Sequence, residues 1–263
     1  MPRTTLDAIL AVTRTRVAAL QGSARELERR AAAAPPARPF PGALGTTVGV
    51  VAEVKRRSPS QGAIRADLDP VAHARAYVRG GAVAVSVLTD EAHFGGSLDD
   101  LAAVAGAVPV PVLRKDFILD ELQLLEARAA GASAVLLIVR ALPPDRLAAL
   151  ARAARRQGLA TLVEVHGDAE LAPALAAEPT AIGVNARDLA TFAVDLQMAE
   201  RVLAQVPPGL PAVAESGIEG RSDVERLAAA GADLVLVGTS VARTTDPAGA
   251  VGALCGVRRR RRG

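Results

Sequence analysis

Short apolar runs alternate along the chain with longer Ala- and Leu-rich segments whose apolar positions recur at helical spacing. The first such segment, residues 4–34, predicts helix because Leu6, Ile9, Leu10 and Val17 share one face. A proline-rich stretch then breaks the pattern. Beyond it, an apolar run, a polar loop and a helix repeat roughly every 20–30 residues. The apolar runs predict eight strands, at residues 47–54, 82–88, 110–114, 134–139, 160–165, 180–184, 211–214 and 233–237.

These strands are apolar throughout and alternate with helices, which predicts a parallel sheet whose outer face is covered by helices. Eight such units close naturally into a barrel, and the chain of 263 residues matches the typical size of that fold. The predicted fold class is therefore α/β, a (β/α)8 TIM barrel forming a single domain over residues 1–263. A doubly wound sheet is the alternative, but no Gly-x-Gly-x-x-Gly motif follows the first strand.

Both ends of the chain are expected to lie outside the barrel proper. Residues 1–45 predict an N-terminal helical extension that covers the barrel. Residues 257–263 contain five consecutive arginines, Arg258–Arg262, and predict a disordered tail. Among the helices between the strands, Ser222 and Glu225 have the spacing of a capping box, which predicts a helix start at Ser222.

Composition narrows the classes of protein. Without the five terminal arginines, 26 basic residues face 28 acidic ones, and aromatic residues make up only 2% of the chain. This balance argues against a nucleic-acid partner, which calls for a basic face with stacking aromatics. No apolar run reaches the roughly 18 residues of a membrane span, so no membrane partner is expected. A single cysteine, Cys255, and the lack of a signal-peptide pattern predict a cytoplasmic protein, either a monomer or a weak homo-oligomer.

The scarcest polar residues all stand at the ends of predicted strands. Of the 31 basic residues only Lys55 and Lys115 are lysines, and Asn185 is the only asparagine. A lysine kept in an arginine-rich chain is expected to do what a guanidinium cannot, namely to exchange a proton near neutral pH. Parallel barrels carry their chemistry at the carboxyl ends of the strands. A pair of solvated caps on the strand ends remains the alternative reading.

Further candidates follow the other strands. Glu53, Glu164 and Glu215 would meet the two lysines at one rim, where opposite charges satisfy one another and can form an acid–base site. A purely structural ring of salt bridges is the alternative. Glycine-rich segments at 214–218 and 237–240 follow the seventh and eighth strands, where such barrels often bind phosphate.

Several blocks of sequence resemble the indole-3-glycerol phosphate synthase family of tryptophan biosynthesis. The most specific is Val-Ala-Glu-Val-Lys-Arg-Arg-Ser-Pro-Ser-Gln-Gly at 51–62. Others are Val-Leu-Arg-Lys-Asp-Phe-Ile at 112–118, Leu-Val-Glu-Val-His at 162–166, Ile-Gly-Val-Asn-Ala-Arg-Asp-Leu at 182–189 and Ala-Glu-Ser-Gly-Ile at 214–218. The blocks occur in the family's order over residues 46–245, and the N-terminal helix is also similar.

The resemblance implies a lyase that closes the ring of 1-(2-carboxyphenylamino)-1-deoxyribulose 5-phosphate. Carbon dioxide and water leave, and indole-3-glycerol phosphate forms without metal or cofactor. The substrate is thus a small phosphosugar joined to anthranilate. The implied general acid is Lys115, the general base is Glu164, and Lys55 is a second ammonium near the phosphate. Sequence alone does not settle which lysine serves which proton transfer.

The same resemblance implies positions for the remaining site residues. Glu53, Asn185 and Glu215 would orient sugar hydroxyls, and Arg187 would face the substrate carboxylate. The implied phosphate ligands are Ser58, Ser216, Gly217, Gly238 and Thr239. The implied apolar lining of the anthranilate pocket is Phe94, Phe117, Leu136 and Leu189.

The chain departs from the family pattern at three positions. Arg57 stands where a small residue is frequent, Gly95 where a polar residue is frequent, and Thr239 where serine is usual. Three other functions remain alternatives: phosphoribosylanthranilate isomerase, a non-catalytic binding barrel, and an RNA-binding module suggested only by the arginine tail. The Glu-x-Lys and Lys-Asp-Phe segments are not expected in the isomerase, and a non-catalytic barrel would have lost acid–base residues that are present here.

Overall fold

A computed structural model describes residues 5–260 and 262. Eight parallel strands form a closed barrel, each paired with its neighbours in chain order and the last with the first. The strands are β1 Gly49–Val54, β2 Ala84–Leu88, β3 Val112–Lys115, β4 Ala134–Ile138, β5 Ala160–Val165, β6 Ala181–Asn185, β7 Ala212–Glu215 and β8 Leu234–Val237. The predicted (β/α)8 TIM barrel is confirmed, and every predicted strand overlaps an observed one.

Helices cover the outside of the barrel and also form the N-terminal extension. They are α1 Leu6–Leu20, α2 Ala24–Ala33, α3 Pro70–Arg79, α4 Glu91–Phe94, α5 Leu98–Ala107, α6 Glu121–Ala129, α7 Pro144–Arg156, α8 Leu171–Ala176, α9 Leu196–Gln205, α10 Arg221–Ala229, α11 Thr239–Ala242 and α12 Pro247–Leu254. Short 3₁₀ turns occupy Gln21–Ser23, Val139–Ala141 and Asp168–Glu170. Within the described residues, none of these helices combines the length and apolar character needed to cross a bilayer.

Two layers of apolar side chains hold the barrel together. Strand residues that face outward, such as Val50 and Val85, pack against the surrounding helices. Residues that face inward, such as Leu113 and Leu162, fill the barrel interior. Helix α1 joins this interior layer through Ile9 and Leu10, so the N-terminal extension packs against the barrel itself. Because both faces of each strand are buried, the strands are apolar throughout, as a parallel sheet requires.

Helix α10 does not begin at the predicted capping box. It starts at Arg221, and the carboxylate of Asp223 accepts hydrogen bonds from the backbone N–H groups of Glu219 and Gly220. The expected N-cap at Ser222 is therefore wrong by two residues, because the observed N-cap is Gly220. Asp223 can satisfy the free N–H groups before the helix itself, which leaves Ser222 inside the first turn.

The arginine tail is packed at its described positions, which corrects the expectation of disorder. Val257 is only 4% exposed and its carbonyl accepts the N–H of Val48. Arg259 and Arg262 contact the carboxylate of Asp233 at 3.0 and 2.6 Å. Asp233 is buried at the amino end of β8, and a buried carboxylate needs opposite charge nearby. Residues 1–4, Arg261 and Gly263 lie outside the described part of the chain.

Candidate active site

The carboxyl ends of the strands open into a cavity of about 450 Å³. Strand register brings distant residues together here: Asn185 at the end of β6 is paired with Glu215 at the end of β7. All the site residues predicted from sequence line this cavity: Glu53, Lys55, Ser58, Phe94, Lys115, Phe117, Leu136, Glu164, Asn185, Arg187, Leu189, Glu215, Ser216, Gly217, Gly238 and Thr239. The barrel therefore brings these residues together around one cavity.

Both lysines form ion pairs inside the cavity. The Nζ of Lys55 lies 3.0 Å from Oε1 of Glu53. The Nζ of Lys115 lies 3.3 Å from Oε2 of Glu164 and 3.4 Å from Oε2 of Glu215. The lysine side chains are only 15–16% exposed, so neither is a solvated cap on a strand end.

The carboxylates keep the central ammonium charged. Burial alone lowers the pKa of Lys115, but the charges of Glu164, Glu215 and Glu53 more than reverse this and raise it above its usual value. Burial likewise raises the pKa of Glu53, and the charges of Lys55 and Lys115 overcome it and hold that pKa below its usual value. Lys115 is therefore held in its charged ammonium form.

Glu164 and Glu215 are two buried carboxylates that share one ammonium, and their pKa values move apart. For Glu164, the effect of burial is outweighed by the charge of Lys115 and by His166, so its pKa lies below the usual value. For Glu215, burial and the charge of Glu164 together raise the pKa despite Lys115. Two carboxylates at one site commonly share a proton in this way. Glu164 is therefore the ionised member of the pair.

One pole of the cavity is rich in glycine. A Cβ at Gly238 would lie 2.6 Å from Oε1 of Glu53 and 2.9 Å from Nζ of Lys55, so only glycine lets this ion pair lie directly on the backbone. Gly217 has a φ of +73°, a conformation that favours glycine. Ser58 is buried beside them in a short hairpin of Arg57–Ser58 with Gly62–Ala63. An ammonium, a hydroxyl and open backbone together suit an anion.

A second pole of the cavity is apolar and contains one cation. The rings of Phe94 and Phe117 lie 6.3 Å apart and tilted, and Leu136 lines the same cavity. Arg187 is held by a 3.0 Å bond to the carbonyl of Phe192. Among the described residues, no carboxylate lies within salt-bridge distance of Arg187, and burial lowers its pKa. A guanidinium without a protein counter-ion at an apolar wall suits a ligand carboxylate.

Helix α1 contributes residues that sequence reasoning did not assign to the site. Leu6 and Ile9 line the cavity beside the aromatic pair. Further along α1, the Nη2 of Arg16 donates to both carboxylate oxygens of Asp116, at 2.9 and 2.8 Å. The two residues are far apart in the chain, and no local pattern predicts this pairing. The helical extension therefore forms one wall of the cavity.

Asp116 anchors the segment that carries Lys115. Its carboxylate also accepts bonds from the hydroxyl of Thr89 at 2.6 Å and from Arg114 at 2.9 Å. A further bond comes from the N–H of Phe117. Asp116 is 2% exposed, and its pKa is held low because Arg114 and Arg16 outweigh the effect of burial. These bonds fix the backbone on both sides of the proton donor.

Two departures from the family pattern lie against each other. The guanidinium of Arg57 donates to the carbonyls of Glu91 and Ala92 at 2.7 and 2.9 Å. Its Nε lies 3.1 Å from the place where a Cβ of residue 95 would stand. Gly95 thus leaves the space that Arg57 fills. The third departure, Thr239, lies on the cavity wall as expected.

The fold and the cavity together define a class: a (β/α)8 barrel enzyme with an ammonium–carboxylate centre beside a site suited to phosphate. A comparison with family sequence models adds the particular family. The model of "Indole-3-glycerol phosphate synthase" matches residues 6–254. The chain belongs to the indole-3-glycerol phosphate synthase family.

Curated relatives agree with this assignment over nearly their whole length. "Indole-3-glycerol phosphate synthase 2" of Streptomyces coelicolor is 51% identical over 232 residues, covering 88% of this chain and 90% of that protein. "Indole-3-glycerol phosphate synthase" of Mycobacterium avium is 47% identical over 256 residues, covering 96% of this chain and 94% of that protein.

Solved structures at low identity support the fold alone. A 3-hexulose-6-phosphate synthase from Salmonella typhimurium has a TM-score of 0.61 at 18% identity, covering 79% of this chain and 96% of that one. A thiamine phosphate pyrophosphorylase from Pyrococcus furiosus has a TM-score of 0.60 at 17% identity, covering 79% and 93%.

Proposed function

We propose that this chain catalyses ring closure of 1-(2-carboxyphenylamino)-1-deoxyribulose 5-phosphate to indole-3-glycerol phosphate, with loss of carbon dioxide and water. The observation that carries the proposal is the Lys115 ammonium, which contacts two carboxylates inside a cavity that glycine-rich segments and apolar side chains also line. Membership of the family and the names of its curated members support the same reaction.

Lys115 is the general acid of the ring closure. The ring carbon that bears the carboxylate attacks the ribulose carbonyl carbon, and negative charge develops on the carbonyl oxygen. The Lys115 ammonium gives that oxygen a proton and turns it into a hydroxyl. Nearby Glu164 stabilises the positive charge that develops on the aryl amine. Carbon dioxide then leaves and the ring regains its aromaticity.

Glu164 is the general base of the dehydration. The new hydroxyl takes a proton from a lysine ammonium of the cavity and leaves as water, while the Glu164 carboxylate takes a proton from the closing ring. Its ionised state and its 3.3 Å contact with Lys115 place acceptor and donor side by side. Lys55 binds the phosphate and the reacting hydroxyl, while Glu53, Asn185 and Glu215 orient the sugar hydroxyls.

The two poles hold the two ends of the substrate. Ser58, Ser216, Gly217, Gly238 and Thr239 bind the phosphate, where the Lys55 ammonium supplies opposite charge. Phe94, Phe117, Leu136 and Leu189 enclose the anthranilate ring, and Arg187 pairs with its carboxylate. Binding both ends brings the ring carbon and the carbonyl together, and holding two reacting groups in place removes much of the barrier.

The wider setting follows from the same proposal. The partner is this small substrate alone, with no nucleic acid and no membrane, and the protein works in the cytoplasm without metal or cofactor. It acts as a monomer or a weak homo-oligomer. Sedimentation of the purified protein measures this state directly, and a stable higher oligomer would contradict it.

The direct test is turnover of the carboxyphenylamino-deoxyribulose phosphate by purified protein, followed by the fluorescence of the indole product. Phosphoribosylanthranilate serves as the comparison substrate, because the isomerase alternative would consume it instead. We expect turnover of the first compound only. A folded protein that leaves the first compound unchanged would refute the proposed function.

A further inference from the structure

His166 lies directly behind the proposed general base and has no role in the reaction described above. Its side chain is 1% exposed, and its Nε2 lies 3.2 Å from Oε1 of Glu164. On the other side, its Nδ1 lies 3.6 Å from Oε2 of Glu170. Neither ring nitrogen has a well-aligned hydrogen-bond acceptor, so the contacts are between charges rather than along fixed hydrogen bonds. A carboxylate thus stands at each end of one buried imidazole.

Charges alternate in a row from the surface to the centre of the cavity. Arg140 contacts Glu170, and its second amino group contacts Asp188 at 2.8 Å. Glu170 contacts His166, which contacts Glu164, which contacts Lys115. Two hydrogen bonds to the backbone of His166 also fix this row. The carboxylate of Glu170 accepts the N–H of His166 at 2.9 Å, and Arg140 donates to the carbonyl of His166. When His166 is protonated, positive and negative charges alternate along the whole row.

We infer that His166, as a buried imidazolium, is a positioning residue that keeps Glu164 ionised and leaves Glu215 as the protonated member of the carboxylate pair. Lys115 cannot make this choice, because its ammonium lies at nearly equal distances from the two carboxylates, 3.3 and 3.4 Å. Of these two carboxylates, only that of Glu164 contacts His166. The asymmetry between base and partner therefore comes from behind the cavity. This inference rests on the proposed role of Glu164 as base.

The ionisation of His166 fits this arrangement over the physiological range. Burial lowers the pKa of His166, but Glu164 and Glu170 outweigh burial and raise it to about 9. The residue is therefore charged below about pH 9 and loses its charge as the pH rises through that value. Below that value, the imidazolium favours the anionic form of Glu164 over that of Glu215.

The test is the pH dependence of His166→Gln, which removes the charge but keeps a polar side chain. Without the cation, the shared proton spends more time on Glu164. Over the pH range in which the two carboxylates hold one proton, a larger fraction of Glu164 is then protonated and cannot act as base. We expect kcat to fall about twofold near pH 6, since equal sharing of one proton leaves Glu164 ionised about half of the time. The parent-to-variant ratio should shrink toward about 1 near pH 9.5, where both carboxylates ionise. KM should change little.

His73→Gln is the matched control, because His73 is also buried (7% exposed) but its Nδ1 contacts only the carbonyl of Asp69. A merely structural role for His166 would lower kcat by the same factor at every pH. That flat ratio, or the same pH trend in the control, would overturn the inference.

Two further measurements keep the inference testable if His166→Gln does not fold. Glu170→Gln should shift the pH profile in the same direction but less, because one of the two flanking carboxylates remains. Nitrogen NMR of the unliganded parent should show both ring nitrogens of His166 protonated at neutral pH, and a neutral ring would refute the inference. The NMR result does not depend on turnover. A parent without turnover would instead refute the proposed function.

Discussion

Replacing Lys115 by arginine separates charge from proton transfer. In the structure the ammonium contacts Glu164 and Glu215 at 3.3 and 3.4 Å, and both glutamate side chains are only 2% exposed. Lys115→Arg keeps the positive charge but supplies a wider group that does not release a proton near neutral pH. Arginine is also the common cation of this chain, so composition alone would predict a harmless change.

The expected loss is that of a general acid. Such groups contribute about 100- to 10,000-fold to rate, so kcat should fall by at least about 100-fold. At about 1.4 kcal/mol for each tenfold change, the barrier rises by at least about 2.7 kcal/mol. Stability should change much less than in Lys115→Ala, which leaves the buried carboxylates without their cation and should cost about 3–5 kcal/mol.

The assay is single-turnover formation of indole-3-glycerol phosphate by fluorescence, together with thermal unfolding of each variant. Lys55→Arg is the companion variant and should weaken substrate binding as well as rate, because Lys55 lies at the glycine-rich pole. The melting temperature of Lys115→Arg should stay within about 4 °C of the parent, equivalent to about 1 kcal/mol. A near-parental kcat in Lys115→Arg would refute the reasoning about the two lysines.

Three further perturbations probe the rest of the molecule. Gly238→Ala should raise KM while the fold persists, since the added methyl meets only the ends of two flexible side chains; Gly220→Ala, with open space at its Cβ, should leave KM unchanged. Arg187→Gln should raise KM about tenfold or more without changing the melting temperature, through loss of a charge-assisted contact; an unchanged KM would place the substrate carboxylate elsewhere. Replacing Arg259 and Arg262 together by alanine should lower the melting temperature by about 10 °C, since breaking a buried ion pair costs about 3–5 kcal/mol, and should leave kcat unchanged. An unchanged melting temperature would contradict the packed tail.

The barrel could be predicted from sequence because each strand is a local pattern. The strand β3, for example, is predicted at 110–114 and observed at Val112–Lys115. The hairpin of Arg57–Ser58 with Gly62–Ala63 was missed, because two-residue strands have no periodicity to detect. The start of α10 is misplaced because two acidic residues in its first two turns, Asp223 and Glu225, could each complete a capping box, and the structure uses Asp223.

The site was predictable for a different reason. A closed parallel barrel brings all strand ends to one rim, so Lys115 and Glu215 must approach each other although 100 residues separate them. Contacts outside this rule could not be predicted. Arg16 contacts Asp116 from helix α1, which precedes the barrel in the chain, and Arg262 contacts Asp233 from the C-terminal tail. These pairs depend on where whole segments pack, which no local pattern records.

The division of work between the two kinds of cation gives the scarcity of lysine a physical meaning. In the part of the chain that the structure describes, arginine or histidine makes every salt bridge outside the cavity, including the buried contacts of Arg114 and the row that begins at Arg140. A planar guanidinium with five donors holds fixed carboxylates well and stays charged throughout. Only Lys55 and Lys115 supply an ammonium, and both face the cavity. The scaffold around them can therefore change its cations freely toward arginine, while the proton transfer that we propose for the cavity requires lysine.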